Sequence, residues 1–287
     1  MSVLSSVGNI ARYLGMGALP IFVKKYIDKN RYRTPKGPAK VLPASYFFPI
    51  ELLAATTADK PSNEVFVAWM DVPGGHKWLH YFDTYRDLLA PLRERPIRML
   101  EIGVYRGASL KLWRKYLHPA SAIIGIDIDE SCRRFDCPAE NVHVRIGSQA
   151  DSVFLENVTR EFGPFDVILD DGSHVCSHMV ASFGHLYIQA LKDDGIYIAE
   201  DTHTNFWPKF RDQRYSFIDL CKDLADTMHS HYAIQAGESE YRVGSEKRTL
   251  SLKVPLIAAQ IKEISFRDSI VVVRKKPVSR LPGSQHN

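Results

Sequence analysis

Ile97-Arg98-Met99-Leu100-Glu101-Ile102-Gly103-Val104-Tyr105-Arg106-Gly107-Ala108-Ser109-Leu110-Lys111-Leu112-Trp113 reads as a strand, a glycine-marked turn and the start of a helix. Ile97 to Ile102 is mostly apolar, as a buried strand is. Gly103 and Gly107 punctuate the turn, and the apolar spacing from Ser109 to Trp113 is helical. The alternation repeats downstream. Ala122 to Asp127, Val142 to Ile146, Phe165 to Asp170 and Gly195 to Glu200 read as strands, with helices near Val153 to Phe162 and Met179 to Leu191. Strands separated by helices predict βαβ units, hence an α/β fold with a doubly wound, mostly parallel sheet. Near the end, Ile264-Ser265-Phe266 and Ile270-Val271-Val272-Val273 flank Arg267-Asp268-Ser269 and predict an antiparallel hairpin on the sheet edge. Upstream, Trp78, Tyr81, Phe82, Tyr85, Leu88, Leu89 and Leu92 recur at helical spacing within residues 64–95.

With 287 residues, 45% of them hydrophobic, the chain can bury the core of one large domain with additions. No run of about 18 uninterrupted apolar residues argues for a membrane span. The stretch from Val3 to Val23 lacks the basic start of a signal peptide. Cys132, Cys137, Cys176 and Cys221 form no CxxC pair, which predicts reduced thiols and a cytoplasmic location. The net charge of +4 is uneven: the first 40 residues carry +7, leaving −3 on the remainder. These features divide the chain into a basic arm over residues 1–60, a main domain over 61–275 and a disordered tail over 276–287. Such an arm is either merely solvated or meets a membrane surface or an acidic partner. No basic stripe with interleaved aromatics recurs in the main domain, which argues against a nucleic-acid partner.

The chemistry-bearing residues fall at strand ends. Asp170-Asp171-Gly172-Ser173-His174 follows one apolar run and Glu200-Asp201-Thr202 another. If those strands are parallel neighbours, four carboxylates and an imidazole meet at the carboxyl edge, where open α/β sheets place ligands. Such a cluster could hold a divalent cation beside a general base. In the first turn the spacing is G-x-x-x-G rather than the dinucleotide pattern G-x-G-x-x-G. Glu101, just ahead of Gly103, would repel a pyrophosphate and suits the ammonium and sulfonium of S-adenosylmethionine (SAM). Asp127, about 20 residues on, can take both hydroxyls of an adenosine ribose, with Asp129 as a second candidate and helix capping as the alternative. Gly147-Ser148-Gln149-Ala150-Asp151 offers polar groups to an adenine edge or simply caps a helix; the two readings weigh equally.

The succession E-x-G-x-x-x-G-x-S, G-I-D-I, G-S-Q-A-D, D-D-G-S-H and E-D-T resembles the class I SAM-dependent methyltransferases. Within them it is most similar to the metal-dependent sugar O-methyltransferases of the mycinamicin 2''-O-methyltransferase type. Tyr81, Tyr85 and Arg267-Asp268-Ser269-Ile270-Val271-Val272 share in the resemblance, which spans about residues 75–275. Tyr105, where many methyltransferases have glycine, departs from the broad pattern and is similar to catechol-type enzymes. The resemblance implies a Rossmann-like methyltransferase fold, with Asp171, Glu200 and Asp201 as ligands of Mg²⁺ (or Mn²⁺) and His174 as general base. It puts Glu101, Gly103, Asp127 and Gln149 on the SAM side, with Gly107, Ser148 and Asp151 in the same turns, and Tyr81 closing over the methionine end. The acceptor it implies is a sugar hydroxyl of a glycoside, polysaccharide or glycosylated natural product, and the assembly a homo-oligomer. Two alternatives stand beside it: methylation of a catechol or other vicinal diol, and a non-catalytic SAM-binding accessory protein related to cephalosporin hydroxylase-like proteins.

A sugar hydroxyl attacks a methyl group poorly unless its proton leaves as attack proceeds, hence the need for a base. Hard oxygen ligands favour Mg²⁺ over zinc. His178, His185 and His203 are weaker candidates, His203 being the one that could reach an acceptor. Phe206 and Trp207 either stack on a sugar or anchor the polar insertion around them.

Overall fold

The computed structural model describes residues 59–234 and 236–277. The basic arm lies almost wholly outside the described residues, as does most of the tail. Seven strands form one sheet in the order β3-β2-β1-β4-β5-β7-β6. They are β1 (Arg98–Ile102), β2 (Ala122–Asp127), β3 (Val142–Ile146), β4 (Phe165–Asp170), β5 (Leu191–Ala199), β6 (Ile261–Arg267) and β7 (Ile270–Lys275). The first five are parallel, β7 runs antiparallel to β5, and β6 antiparallel to β7. This is the doubly wound sheet with an edge hairpin that the pattern predicts. Its strand order reverses between β1 and β4, and such a switch point opens a crevice at the carboxyl ends of the strands.

The central strands are apolar on both faces because helices cover both. On one side, α1 (Glu64–Met70), α2 (Tyr81–Leu89) and α3 (Ala108–Tyr116) pack Phe66, Phe82, Tyr85 and Trp113 against Met99, Val167 and Ile198. On the other, α4 (Ser152–Phe162), α5 (Cys176–Gln189) and α6 (Phe217–Met228) bring Leu155, Phe183, Tyr187 and Phe217 against Leu100, Ile168 and Tyr197.

Two elements depart from the spacing: β5 begins at Leu191, where the pattern predicts a helix to Leu191 and a strand only from Gly195, and the upstream helix is divided. The helical pattern of residues 64–95 divides into α1 and α2, because Pro73-Gly74-Gly75 interrupts it. The intervening segment crosses the carboxyl edge of the sheet and carries Lys77 and Trp78 there. The parallel register aligns Ile102 with Asp170 and Asp170 with Ala199. Residues following β1, β4 and β5 therefore meet at one edge. Among the described residues no helix is long and apolar enough to cross a membrane.

Candidate active site

Glu101, at the carboxyl end of β1, is wholly buried. Its Oε1 accepts a hydrogen bond from Trp113 Nε1 at 3.2 Å, while Oε2 has no partner among the described residues. Burial pushes its carboxyl up to about 7, against the pull of the Lys77 ammonium. Behind it the chain turns at Gly103, whose φ of +97° falls in the region that glycine tolerates. A Cβ there would lie 2.1 Å from the Asp171 carbonyl oxygen, so the β1 and β4 loops touch backbone to backbone. Gly107, also at positive φ, opens α3 under the ring of Phe135.

Asp127 braces that turn. One of its oxygens accepts from the backbone N–H of both Val104 and Tyr105, at 2.9 Å each. Its other oxygen accepts from Asp129 N. Asp129 itself caps the next short helix through Ser131 N. Of the β3 loop residues, Asp151 caps α4 by accepting from Val153 N and Phe154 N, and Ser148 Oγ accepts from Ala150 N. Gln149 is buried and spent on the neighbouring loop: its Nε2 donates to Asp170 and its Oε1 accepts from Ser173 N at 2.7 Å. Asp170 in turn accepts from Ser182 Oγ and Tyr197 OH, at 2.7 and 2.8 Å, and burial raises its pKa. This buried network fixes the loop that presents Asp171 and His174.

Asp171, His174 and Asp201 each offer one ligand atom, and those atoms lie within 4.8 Å of one another. His174 Nε2 is 3.7 Å from Asp201 Oδ2 and 3.9 Å from Asp171 Oδ1, and its Nδ1 is buried without a partner among the described residues. His174 and Asp201 hold left-handed backbone conformations, φ +57° and +50°. Side chains other than glycine rarely adopt these, and they persist where surrounding structure enforces them. Tyr81, buried on α2, donates to Asp201 Oδ1 at 2.6 Å and lies 2.9 Å from Ser269 Oγ. The phenol thus orients the carboxylate nearest the imidazole, and burial with the Asp201 hydrogen bond raises its pKa.

Glu200 stands differently. Its Oε2 pairs with Lys77 Nζ at 2.5 Å and its Oε1 accepts from Tyr85 OH. Lys77 spans to Asp171 Oδ2 at 2.5 Å as well, with its side chain 5% exposed. Burial works against that ammonium's charge, but Asp171 and Glu200 outweigh it and hold its pKa well above the ordinary lysine value. Burial pushes Glu200 upward despite Lys77, and Asp171 adds to the rise. Sequence reasoning missed Lys77; its one signal is a single basic residue in the breaker-rich stretch before α2.

A deep carboxylate with an open oxygen suits a ligand's ammonium. Two carboxylates that offer oxygens close together suit a hard divalent cation, and the imidazole beside them suits a base. The fold and the site together define a class I methyltransferase scaffold with an acidic cluster at its switch point. Over 239 residues, covering 77% of this chain and 57% of the relative, it is 31% identical to the L-olivosyl-oleandolide 3-O-methyltransferase of Streptomyces antibioticus. It is 32% identical over 178 residues, 57% of this chain and 46% of the relative, to the 8-demethyl-8-alpha-L-rhamnosyl tetracenomycin-C 2'-O-methyltransferase of Streptomyces olivaceus. The MycE methyltransferase of the mycinamycin biosynthetic pathway, solved with Mg, SAH and mycinamycin VI, shares the fold. Its TM-score is 0.63 at 24% identity, over 79% of this chain and 56% of that one. No protein-family model matches the chain. The chain spans about half the length of the curated relatives it matches. By sequence it is thus a relative of the sugar O-methyltransferases of glycosylated natural products.

Proposed function

We propose that this protein methylates a sugar hydroxyl of a glycosylated small molecule, using SAM and a divalent cation, Mg²⁺ or Mn²⁺. The observation that carries the reading is the adjacency of two sites. A buried carboxylate with an open oxygen, Glu101, lies across the Gly103–Asp171 contact from the Asp171–His174–Asp201 cluster. The relatives, O-methyltransferases of glycosylated compounds, supply the substrate class.

Glu101 would take the cofactor's ammonium and the Gly103–Gly107 turn would pass beneath it. Asp127, already ordering that turn, is the acid nearest in sequence pattern for the ribose. Asp171 and Asp201 are in position to hold the cation, and Glu200 joins them only by exchanging its contact with Lys77. When bound, SAM supplies an electrophilic methyl group and the cation stabilises negative charge growing on an acceptor hydroxyl. His174 Nε2 takes the hydroxyl proton, and the two carboxylates within 4 Å stabilise the imidazolium that results. Tyr81 keeps Asp201 oriented, and the network of Gln149, Asp170 and Ser173 keeps His174 in place.

Methyl transfer from labelled SAM to rhamnosides and other glycosides, with catechols in parallel and with or without EDTA, tests this. The expected result is methylated glycoside, lost in EDTA and restored by Mg²⁺. Turnover that survives EDTA would remove the cation from the mechanism, and turnover of catechols alone would overturn the acceptor class.

A further inference from the structure

Two tryptophans stand half-exposed beside the reacting groups: Trp78 at 46% and Trp207 at 50% exposure, whereas Trp113 in the core is fully buried. They come from different parts of the chain, Trp78 from the segment before α2 and Trp207 from the end of the short helical turn Thr202–Phe206 that follows β5. His203 joins them. Its ring lies 6.0 Å from Trp78, edge to face at 90°, and 4.7 Å from Trp207. From Trp207 the row continues to Phe210 at 6.1 Å, and from Phe210 to His174 at 6.1 Å. Aromatic surface thus runs from the α2 approach to the imidazole of the cluster.

Polar groups lie against this surface. His203 Nδ1 meets Ser269 Oγ at 2.5 Å and lies 3.9 Å from Asp201 Oδ1. Apolar ring faces with hydrogen-bonding groups at their edges match a pyranose, which has a C–H face and hydroxyls around its rim. A purely apolar ligand would take water from His203 and Asp201 and offer no hydrogen bond in its place. His203 touches the Trp207 ring and lies beside Asp201, which favours a sugar over a distant aglycone here.

We infer that Trp78 and Trp207 form the acceptor's sugar subsite, stacking on the C–H face of a pyranoside whose hydroxyl edge is turned to Asp201 and His174. The inference rests on the methyl-transfer reading above and adds the residues that select the acceptor. Sequence inspection leaves Trp207 equally suited to anchoring its insertion; its exposure and its place in the row favour the sugar.

The test compares Trp207→Leu, Trp207→Phe and Trp78→Leu with the unaltered protein. Stacking predicts that each Leu variant raises the KM for a rhamnoside roughly 10-fold or more. The kcat should hold within about threefold and SAM affinity by calorimetry should be unchanged, while Trp207→Phe stays near the unaltered KM. An unchanged rhamnoside KM in both Leu variants overturns the inference. Saturation-transfer NMR with methyl rhamnopyranoside separates it from the reading it rests on. Binding without turnover that Trp207→Leu abolishes supports the subsite and discards the glycoside methyltransferase reading; no binding to the unaltered protein overturns the subsite. Trp78→Leu decides if Trp207→Leu fails to fold by circular dichroism.

Discussion

Replacing Glu101 with Gln should stabilise the protein and, by the same change, disable it. Glu101 is wholly buried, and burial lifts its carboxyl from 4.5 to about 7. The sign follows from linkage. A carboxyl with a raised folded pKa binds more protons folded than unfolded between those two values, so its stabilising share is present at low pH and is lost as pH rises through about 7. The penalty for keeping it is therefore about 0.8 kcal/mol at pH 5 and about 3 kcal/mol at pH 8. Gln carries no charge to bury. Whatever constant amount its amide gains or loses against Trp113, the difference between the two proteins should widen by about 2.5 kcal/mol from pH 5 to pH 8. For a domain of this size that is a relative rise of roughly 5–10 °C in melting temperature. Differential scanning calorimetry of both proteins without cofactor, at the two pH values, measures it. Calorimetric titration with SAM at pH 8 should show binding weakened at least 10-fold in the variant, since the open Oε2 is gone. A melting difference that stays flat with pH would refute the burial argument, and unchanged SAM affinity would refute the role given to that oxygen.

Lys77→Met strands Asp171 and Glu200 without their shared ammonium, and breaking a buried ion pair from one side costs about 3–5 kcal/mol. Urea unfolding in EDTA should show that loss, and a loss below about 1 kcal/mol would contradict the arrangement. Gly103→Ala places a methyl 2.1 Å from the Asp171 carbonyl oxygen at a φ of +97°. The loops must part, with a loss of at least about 2 kcal/mol and of SAM binding; a variant that melts and binds as the parent does would exclude the close approach. His174→Ala should keep SAM affinity while turnover drops roughly 10²-fold or more, and parent-like turnover would dismiss the imidazole as the base.

Much of the molecule was legible before any coordinates. The apolar strands, the helices between them and the edge hairpin follow from local spacing, because burial on two faces writes itself into runs of Val, Ile and Leu. Acids at the ends of β4 and β5 could be read as one cluster, since a parallel sheet brings those ends together whatever lies between. Glu101 stood out because a carboxylate beside the glycine turn would repel a pyrophosphate and suits a cationic cofactor. What lay beyond reach is contact across the fold. Lys77 is 94 residues from Asp171 and 123 from Glu200, and Tyr81 is 120 from Asp201. No periodicity links such pairs; only the crossing of the α1–α2 segment over the sheet edge joins them. The same crossing sets Trp78 beside His203. Tertiary structure also shows what single residues contact. Asp151 caps a helix and Gln149 braces the Asp170 loop, because hydrogen-bond partners are chosen by distance in space. Sequence by itself determined the scaffold and the acids it gathers, through patterns that repeat along the chain. Tertiary structure decided which donor holds each acid and which oxygen is left open, because those depend on packing between segments that share no local pattern.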